Sequence, residues 1–175
     1  MGTVMKKFIN SYENMISEML NGFAKANAEL VERPFERVLI RKGSPTKGKV
    51  GLVTGGGSGH KPALIGYLGK GMMDAVAVGN IFAAPGVQNC MDAIRMADGG
   101  AGVLVCIGYY SGDLMNFGMA IDMLADEGIK AEMVIVNDDV ASSPVTAMEN
   151  RRGVAGEIIL WKVLGYLADT GADLE

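Results

Sequence analysis

The only histidine of the chain, His60, closes a glycine-rich loop and could act as a general acid or base. The loop spans residues 55–60 and reads GGGSGH. Histidine titrates near neutral pH, and glycine lets the backbone approach a ligand closely. The alternative is a histidine that only shapes the turn through hydrogen bonds. Because His60 lies on a loop and not on an apolar face, we favour a functional role.

The loop follows a predicted strand and precedes a predicted helix, a setting in which backbone N–H groups bind an anion or a polarised oxygen. It lacks the Gly-Lys-Ser/Thr ending of a Walker loop. It meets the Gly-x-Gly-x-x-Gly spacing of dinucleotide folds only in part. A tight strand-to-helix turn without a ligand is the competing interpretation. We expect a small polar ligand, with His60 at its side.

Asp113 ends the sequence YYSGD at residues 109–113, before a predicted helix. Its simplest role is that of a helix N-cap, since aspartate accepts N–H bonds from the first turn. An acid/base pair with His60 requires that the two loops meet in the fold.

Other polar residues have weaker claims to chemistry. The pair Asp138 and Asp139 could hold Mg²⁺, but turn formation and capping explain it equally well. Arg151 and Arg152 could bind a phosphate or a partner's carboxylate, or form a solvated helix entrance. Two further residues, Cys90 and Cys106, lack metal-ligand spacing, and Cys106 lies in an apolar run typical of a buried small side chain.

Composition predicts one ordinary globular domain over residues 1–175. Hydrophobic residues make up 49% and charged residues 21% of the chain, and its 25 glycines are concentrated in loops. A net charge of −4 argues against a nucleic-acid groove. No apolar run approaches the ~20 residues of a membrane span, and no signal-peptide core is evident. We therefore expect a cytoplasmic protein that binds neither nucleic acid nor membrane.

Apolar strands alternate with amphipathic helices along the chain, which predicts an α/β three-layer sandwich with a largely parallel sheet and helices on both faces. The predicted strands cover residues 37–40, 49–54, 74–79, 101–107 and 131–136. The predicted helices cover residues 8–28, 87–97, 114–126 and 154–168, with another opening at 63–68. Loops 55–60, 79–86, 108–113 and 137–143 follow strands, so we expect them to converge on one ligand-binding rim.

Five motifs in this order and spacing resemble the dihydroxyacetone kinase substrate-binding subunit, specifically its amino-terminal half. The motifs are GGGSGH at 55–60 with Pro62, NIF at 80–82 with Pro85, YSGD at 110–113 with Asn116 and Phe117, NDDVA at 137–141, and RRGVAG at 151–156. They span nearly the whole chain.

The resemblance implies a component that binds a small ketose such as dihydroxyacetone and presents its hydroxyl for phosphorylation. It assigns catalytic roles to His60, which orients the ketose, and Asp113, which accepts the hydroxyl proton. It gives the substrate contacts to the following residues: Gly56, Gly57, Ser58, Gly59, Phe82 and Gly108. No metal and no cofactor are expected on this chain. A nucleotide and Mg²⁺ are expected on a kinase partner subunit, with either ATP or phosphoenolpyruvate, through a phosphotransferase-system protein, as the ultimate donor.

Three departures from the family pattern stand out. The family's subunit is about twice as long, and the histidine that bonds covalently to the ketose lies in its second half. That second half is either the remainder of a longer protein or a separate chain. Gly108 stands where the family often has lysine, and Lys61 where it often has glutamate. A regulatory paralogue that binds a ketose and acts through a protein partner is therefore an alternative to the kinase, and a homodimer is the expected assembly.

Overall fold

A six-stranded sheet runs through residues 6–175, the part of the chain that the computed structural model describes. Its strands are β1 (Val31–Phe35), β2 (Val38–Arg41), β3 (Gly51–Gly56), β4 (Ala75–Val78), β5 (Val103–Gly108) and β6 (Ala131–Val136). The helices are α1 (Met15–Ala26), α2 (Val87–Ala97), α3 (Ser111–Ala125) and α4 (Gly156–Asp169). The central strands are short apolar runs rich in valine, the composition that favours fully buried strands.

The strand order in the sheet is β1-β2-β4-β3-β5-β6. The pairs β4-β3, β3-β5 and β5-β6 are parallel, while β1-β2 and β2-β4 are antiparallel. This confirms the predicted largely parallel sheet. The antiparallel margin, formed by one hairpin, was not predicted.

Two apolar cores lie on opposite faces of the sheet and confirm the three-layer sandwich. On one face, Phe117 of α3 and Ile94 of α2 pack against strand side chains such as Val105. On the other face, Leu20 of α1 and Trp161 of α4 belong to the second core. All five of these side chains are at most 1% exposed. No helix among residues 6–175 has the length and apolar character that crossing a membrane demands.

The amino-terminal helix is shorter than the periodicity predicts. It begins at Met15 rather than near Phe8, because a turn over residues 12–14 precedes it and the Ser11 hydroxyl accepts the Asn14 N–H at 3.2 Å. Phe8 and Tyr12 consequently lie exposed. A strand missed in the sequence, β1, contains Pro34 at the sheet margin, where proline is tolerated.

The helix predicted to open at residues 63–68 is wrong. The chain instead forms two 3₁₀ turns, Ser58–His60 and Ile65–Tyr67. Leu64 between them has φ +69°, the left-handed region that interrupts a right-handed helix. The glycine loop therefore does not lead into an α-helix. Phosphate-binding loops rely on the N–H groups of a helix N-terminus, so the comparison with them does not hold.

Asp74 is a buried carboxylate, 2% exposed, that joins three elements at the start of β4. It accepts bonds from Arg41 Nε at 2.9 Å and Arg41 Nη2 at 2.6 Å, and it pairs with Lys49 Nζ at 3.2 Å. It also accepts the backbone N–H of Leu52 at 3.0 Å. Both cationic side chains are less than 15% exposed. The cluster holds the antiparallel margin and β3 in register.

We expect Asp74→Ala to lower the free energy of unfolding by about 3 kcal/mol, because it leaves the largely buried Arg41 without its carboxylate, whereas Lys49 keeps only its ion pair with Asp169. Urea denaturation followed by circular dichroism measures this change. Asp122→Ala, at an exposed position of α3, is the matched control and should alter stability by less than about 0.5 kcal/mol. Equal effects of the two substitutions would refute the structural role of the cluster.

Candidate ligand-binding site

A cavity of about 680 Å³ opens at the carboxyl ends of β3 and β5. Its walls come from the glycine loop, residues 82–84, residues 110–113 before and in α3, and residues 153–158 at the start of α4. The chain leaves β3 toward one face of the sheet and leaves β5 toward the other. Such a topological switch point is where open α/β sheets place their ligands.

Asp113 lies in the first turn of α3, with its carboxylate beside Gly56 of the glycine loop. A Cβ added to Gly56 would lie 3.9 Å from Asp113 Oδ1. The N-cap of α3 is Tyr110 and no side chain caps this helix, so the N-cap role predicted for Asp113 is wrong. Its Oδ1 is buried, and no residue in the described range 6–175 offers it a hydrogen bond.

Burial raises the pKa of the Asp113 carboxyl to about 6, although its own backbone N–H and the nearby His60 lower the pKa in part. Desolvation disfavours the charged form of a carboxyl group. The result is a stronger base than an ordinary aspartate. At neutral pH it is still mostly ionised, so it can accept a proton.

His60 and Phe82 meet edge to face beside the cavity. Their ring centroids lie 5.2 Å apart at an interplanar angle of 74°. Phe82 has φ +52°, a conformation that non-glycine residues adopt rarely and mostly at functional sites. His60 ends a 3₁₀ turn and lies exposed, at the mouth of the cavity.

The glycines of the loop are required by the close approach of the Phe82 segment. A Cβ on Gly57 would lie 2.9 Å from the Ala83 nitrogen, and one on Gly59 would lie 2.7 Å from the Phe82 ring. These distances are too short for a carbon contact, so Gly57 packs against the backbone of the Phe82 segment and Gly59 packs against the Phe82 ring. The cavity wall is thereby held in one shape.

Most of the predicted site residues come together in the cavity. Its lining includes Gly56, Gly57, His60, Phe82, Gly108 and Asp113. Ser58 and Gly59 do not line it, and the buried Ser58 hydroxyl has no partner among residues 6–175. The loop 137–143, predicted at the same rim, also stays outside the lining.

The carboxylates of that loop shape the chain instead. Asp138 accepts the backbone N–H groups of Val154 and Gly156, both at 2.7 Å. Asp139 accepts the N–H of Ala141 at 3.1 Å. These bonds favour the turn and capping interpretation over a magnesium site. In the described part of the chain, no three histidine, cysteine, aspartate or glutamate residues are grouped to hold a metal ion.

Arg151 Nε donates to the Ser143 carbonyl at 3.0 Å, so this arginine orders the loop, whereas Arg152 is exposed. Cys90 and Cys106 are buried thiols, as expected for Cys106. Burial raises both thiol pKa values far above neutrality.

Glu157 is the functional candidate that the sequence analysis missed. It lies in the first turn of α4, lines the cavity, and places Oε1 against Gly108. Burial, followed by the charges of Asp138 and Asp113, raises the pKa of its carboxyl to about 7. Its only signal in the sequence was an acidic residue directly after the motif RRGVAG at residues 151–156. The residues around Glu157 come from segments that are distant in the sequence.

The cavity is lined mainly by apolar and small residues, with two carboxylates and one histidine among them. Neither lysine nor arginine is part of the lining. A neutral ligand with hydroxyl groups suits such a site, because hydroxyls donate hydrogen bonds to carboxylates. A phosphate group would face two carboxylates without a compensating cation.

Comparison with known proteins identifies close relatives. Residues 21–175 match the family model described as the Dak1 domain. The chain is 42% identical over 171 residues to the dihydroxyacetone-binding subunit DhaK of PTS-dependent dihydroxyacetone kinase 1 from Listeria innocua. That match covers 98% of this chain and 52% of the relative, so the chain spans about half the relative's length.

Solved structures agree with this result. The dihydroxyacetone kinase of C. freundii superposes with a TM-score of 0.87 at 34% identity, over 98% of this chain and 32% of that one. The dihydroxyacetone kinase operon co-activator Dha-DhaQ superposes with a TM-score of 0.82 at 35% identity, over 90% and 48%. The family match, the sequence identity and the shared fold agree, and the chain belongs to the Dak1 domain family.

Proposed function

We propose that this chain binds a small ketose such as dihydroxyacetone and presents one of its hydroxyls for phosphoryl transfer. The observation that carries the proposal is the half-buried Asp113 carboxylate in the cavity, whose buried Oδ1 has no hydrogen-bond partner among residues 6–175. An acceptor without a partner in a ligand-sized cavity fits a hydroxyl donor. The names of the relatives, which include dihydroxyacetone kinases, support the same substrate class.

In the proposed reaction the substrate hydroxyl donates a hydrogen bond to Asp113. The hydroxyl oxygen forms a bond to the phosphorus of the donor, the bond from phosphorus to its leaving group breaks, and the hydroxyl proton moves to the carboxylate. His60 holds another oxygen of the ketose at the mouth of the cavity. Phe82 and the glycine loop fix the ligand's position, which lowers the entropic part of the barrier.

The phosphoryl donor is expected to come from a partner. Among the described residues, the cavity lining has no lysine or arginine to hold a nucleotide phosphate and no group of three metal-ligating side chains to hold Mg²⁺, so it does not fit a nucleotide with Mg²⁺. We propose that a kinase subunit carries both and docks over the cavity mouth, where His60 lies exposed. Which donor is used, ATP or a phosphoenolpyruvate relay, stays open, and a cytoplasmic location stays a prediction.

We further propose that a second half, carried on the same or another chain, packs on this one and supplies the covalent histidine. α4 carries apolar residues on both its inner and its outer side, and the exposed Lys162 lies among the outer ones. It buries Trp161 against the sheet and exposes Ile159, Val163 and Tyr166 at spacings of three and four on its outer side. Apolar patches of this kind mark interaction surfaces. The predicted homodimer remains a second candidate for the same surface.

A regulatory function is the alternative, and two observations favour it. Gly108 stands where the family resemblance places a lysine, and the chain superposes well on an operon co-activator. In that case the chain would bind the ketose without turnover and act through a protein partner. Turnover by a reconstituted complex would exclude this alternative.

Asp113→Asn should reduce turnover at least about 100-fold, because the amide cannot accept the hydroxyl proton. The assay combines the chain with its second half and kinase subunit and measures formation of the phosphorylated ketose. Asp122→Asn makes the same chemical change at an exposed position of α3 and should leave turnover unchanged.

Thermal unfolding distinguishes loss of the base from loss of the fold. Asp113→Asn should not lower the melting temperature near neutral pH, since it removes a desolvated charge. Full activity of the folded variant would refute the assigned role of the carboxylate.

The rate should also depend on pH. Because Asp113 must be ionised to accept a proton and its pKa is raised to about 6, kcat/KM should rise as pH increases through about 6. Initial rates between about pH 5 and about pH 8 measure this limb of the profile. A midpoint near the ordinary aspartate value of about 4 would show that the carboxylate is not desolvated in the working complex.

A further inference from the structure

One wall of the cavity consists of Gly108, Gly153 and Glu157, packed without space between them. A Cβ on Gly108 would overlap Oε1 of Glu157 and lie 3.2 Å from the Gly153 Cα. A Cβ on Gly153 would in turn overlap the Gly108 Cα. Neither glycine position can carry a side chain unless its neighbours move. The only side chain that this wall presents to the cavity is therefore the carboxylate of Glu157.

The Glu157 carboxylate is not needed by the fold around it. Within residues 6–175 it accepts no hydrogen bond from another side chain or from a backbone N–H, and it forms no ion pair. Its acidic neighbours are Asp138, in the loop after β6, and Asp113 of α3. Tyr110 lies close enough for its pKa to respond to the charges of both Glu157 and Arg152. Holding an unpaired carboxylate in a half-buried wall costs stability unless a ligand compensates it.

We propose that Glu157 is a further ligand-binding residue, which accepts a hydrogen bond from a hydroxyl of a neutral ketose in the cavity. The inference rests on the proposed function of the same cavity and goes beyond it. It assigns a second, separate acceptor to the ligand and thereby defines which ligands the site prefers.

The chemistry of this wall selects hydroxyl groups and rejects phosphates. A hydroxyl donates a hydrogen bond to a carboxylate, whereas a keto oxygen and a phosphate oxygen can only accept. With lysine at position 108, as the family resemblance implies, the same wall would be cationic. Here it is anionic when Glu157 is ionised. We therefore expect this chain to discriminate against a phosphorylated ketose more strongly than a lysine-bearing relative does.

The test measures ketose binding to the 175-residue chain by calorimetric or NMR titration, with dihydroxyacetone as the probe. At about pH 8, Glu157→Gln should weaken binding about tenfold, the effect of replacing a charged hydrogen-bond acceptor by a neutral one.

Wild-type affinity should increase as pH rises through about 7, the range in which the Glu157 carboxyl loses its proton. The variant should lack this increase. Dihydroxyacetone phosphate should bind the variant more tightly than it binds the wild type.

Glu132→Gln is the matched control, because it makes the same change at an exposed position of β6 outside the cavity. It should bind the probe as the wild type does. Equal affinity and an identical pH profile for Glu157→Gln and the wild type would overturn the assignment of Glu157 while leaving the proposed function intact. Failure of the wild type to bind any ketose, both alone and together with its second half, would instead overturn the proposed function and this inference together.

Discussion

The divergence of the chain at the ends of β3 and β5 determines the rest of the site. These neighbouring parallel strands point the same way, but the chain leaves β3 for one face of the sheet and β5 for the other. Among residues 6–175, the segments at this gap border a cavity and do not fill it. Every side chain discussed as functional is positioned by a segment that borders this gap. The site is thus a consequence of topology, and the residue types decide its chemistry.

The sequence predicted the elements whose signal is local and strong. The bounds of α2 and β6 coincide with the predicted ranges, since α2 has a clear helical periodicity of apolar residues and β6 is a short segment rich in apolar residues. The helix predicted at residues 63–68 does not form. The apolar residues of this segment pack against the sheet around the 3₁₀ turn Ile65–Tyr67 and not from a helix face. The hairpin strand β1 was missed because Pro34 argues against a strand, except at a sheet margin.

The site could be predicted only in part, because only some of its residues follow a strand closely in the sequence. His60 and Asp113 follow strands directly, so the rule for parallel sheets places them at one edge. Glu157 could not be found in this way, because its position depends on how α4 returns across the sheet after a long irregular segment. Gly108 has no side chain and gave no signal of its contact with Glu157. That contact is visible only in the structure, where Glu157 occupies the space that a Cβ at position 108 would need.

The outer side of α4 also has consequences for the life of the chain in the cell. Ile159, Val163 and Tyr166 are exposed on this chain. Apolar patches of this kind promote non-specific association. If the proposed second half covers this patch, synthesis of both at matched rates would shorten the time for which the patch is exposed, and the supply of one would limit the accumulation of the other.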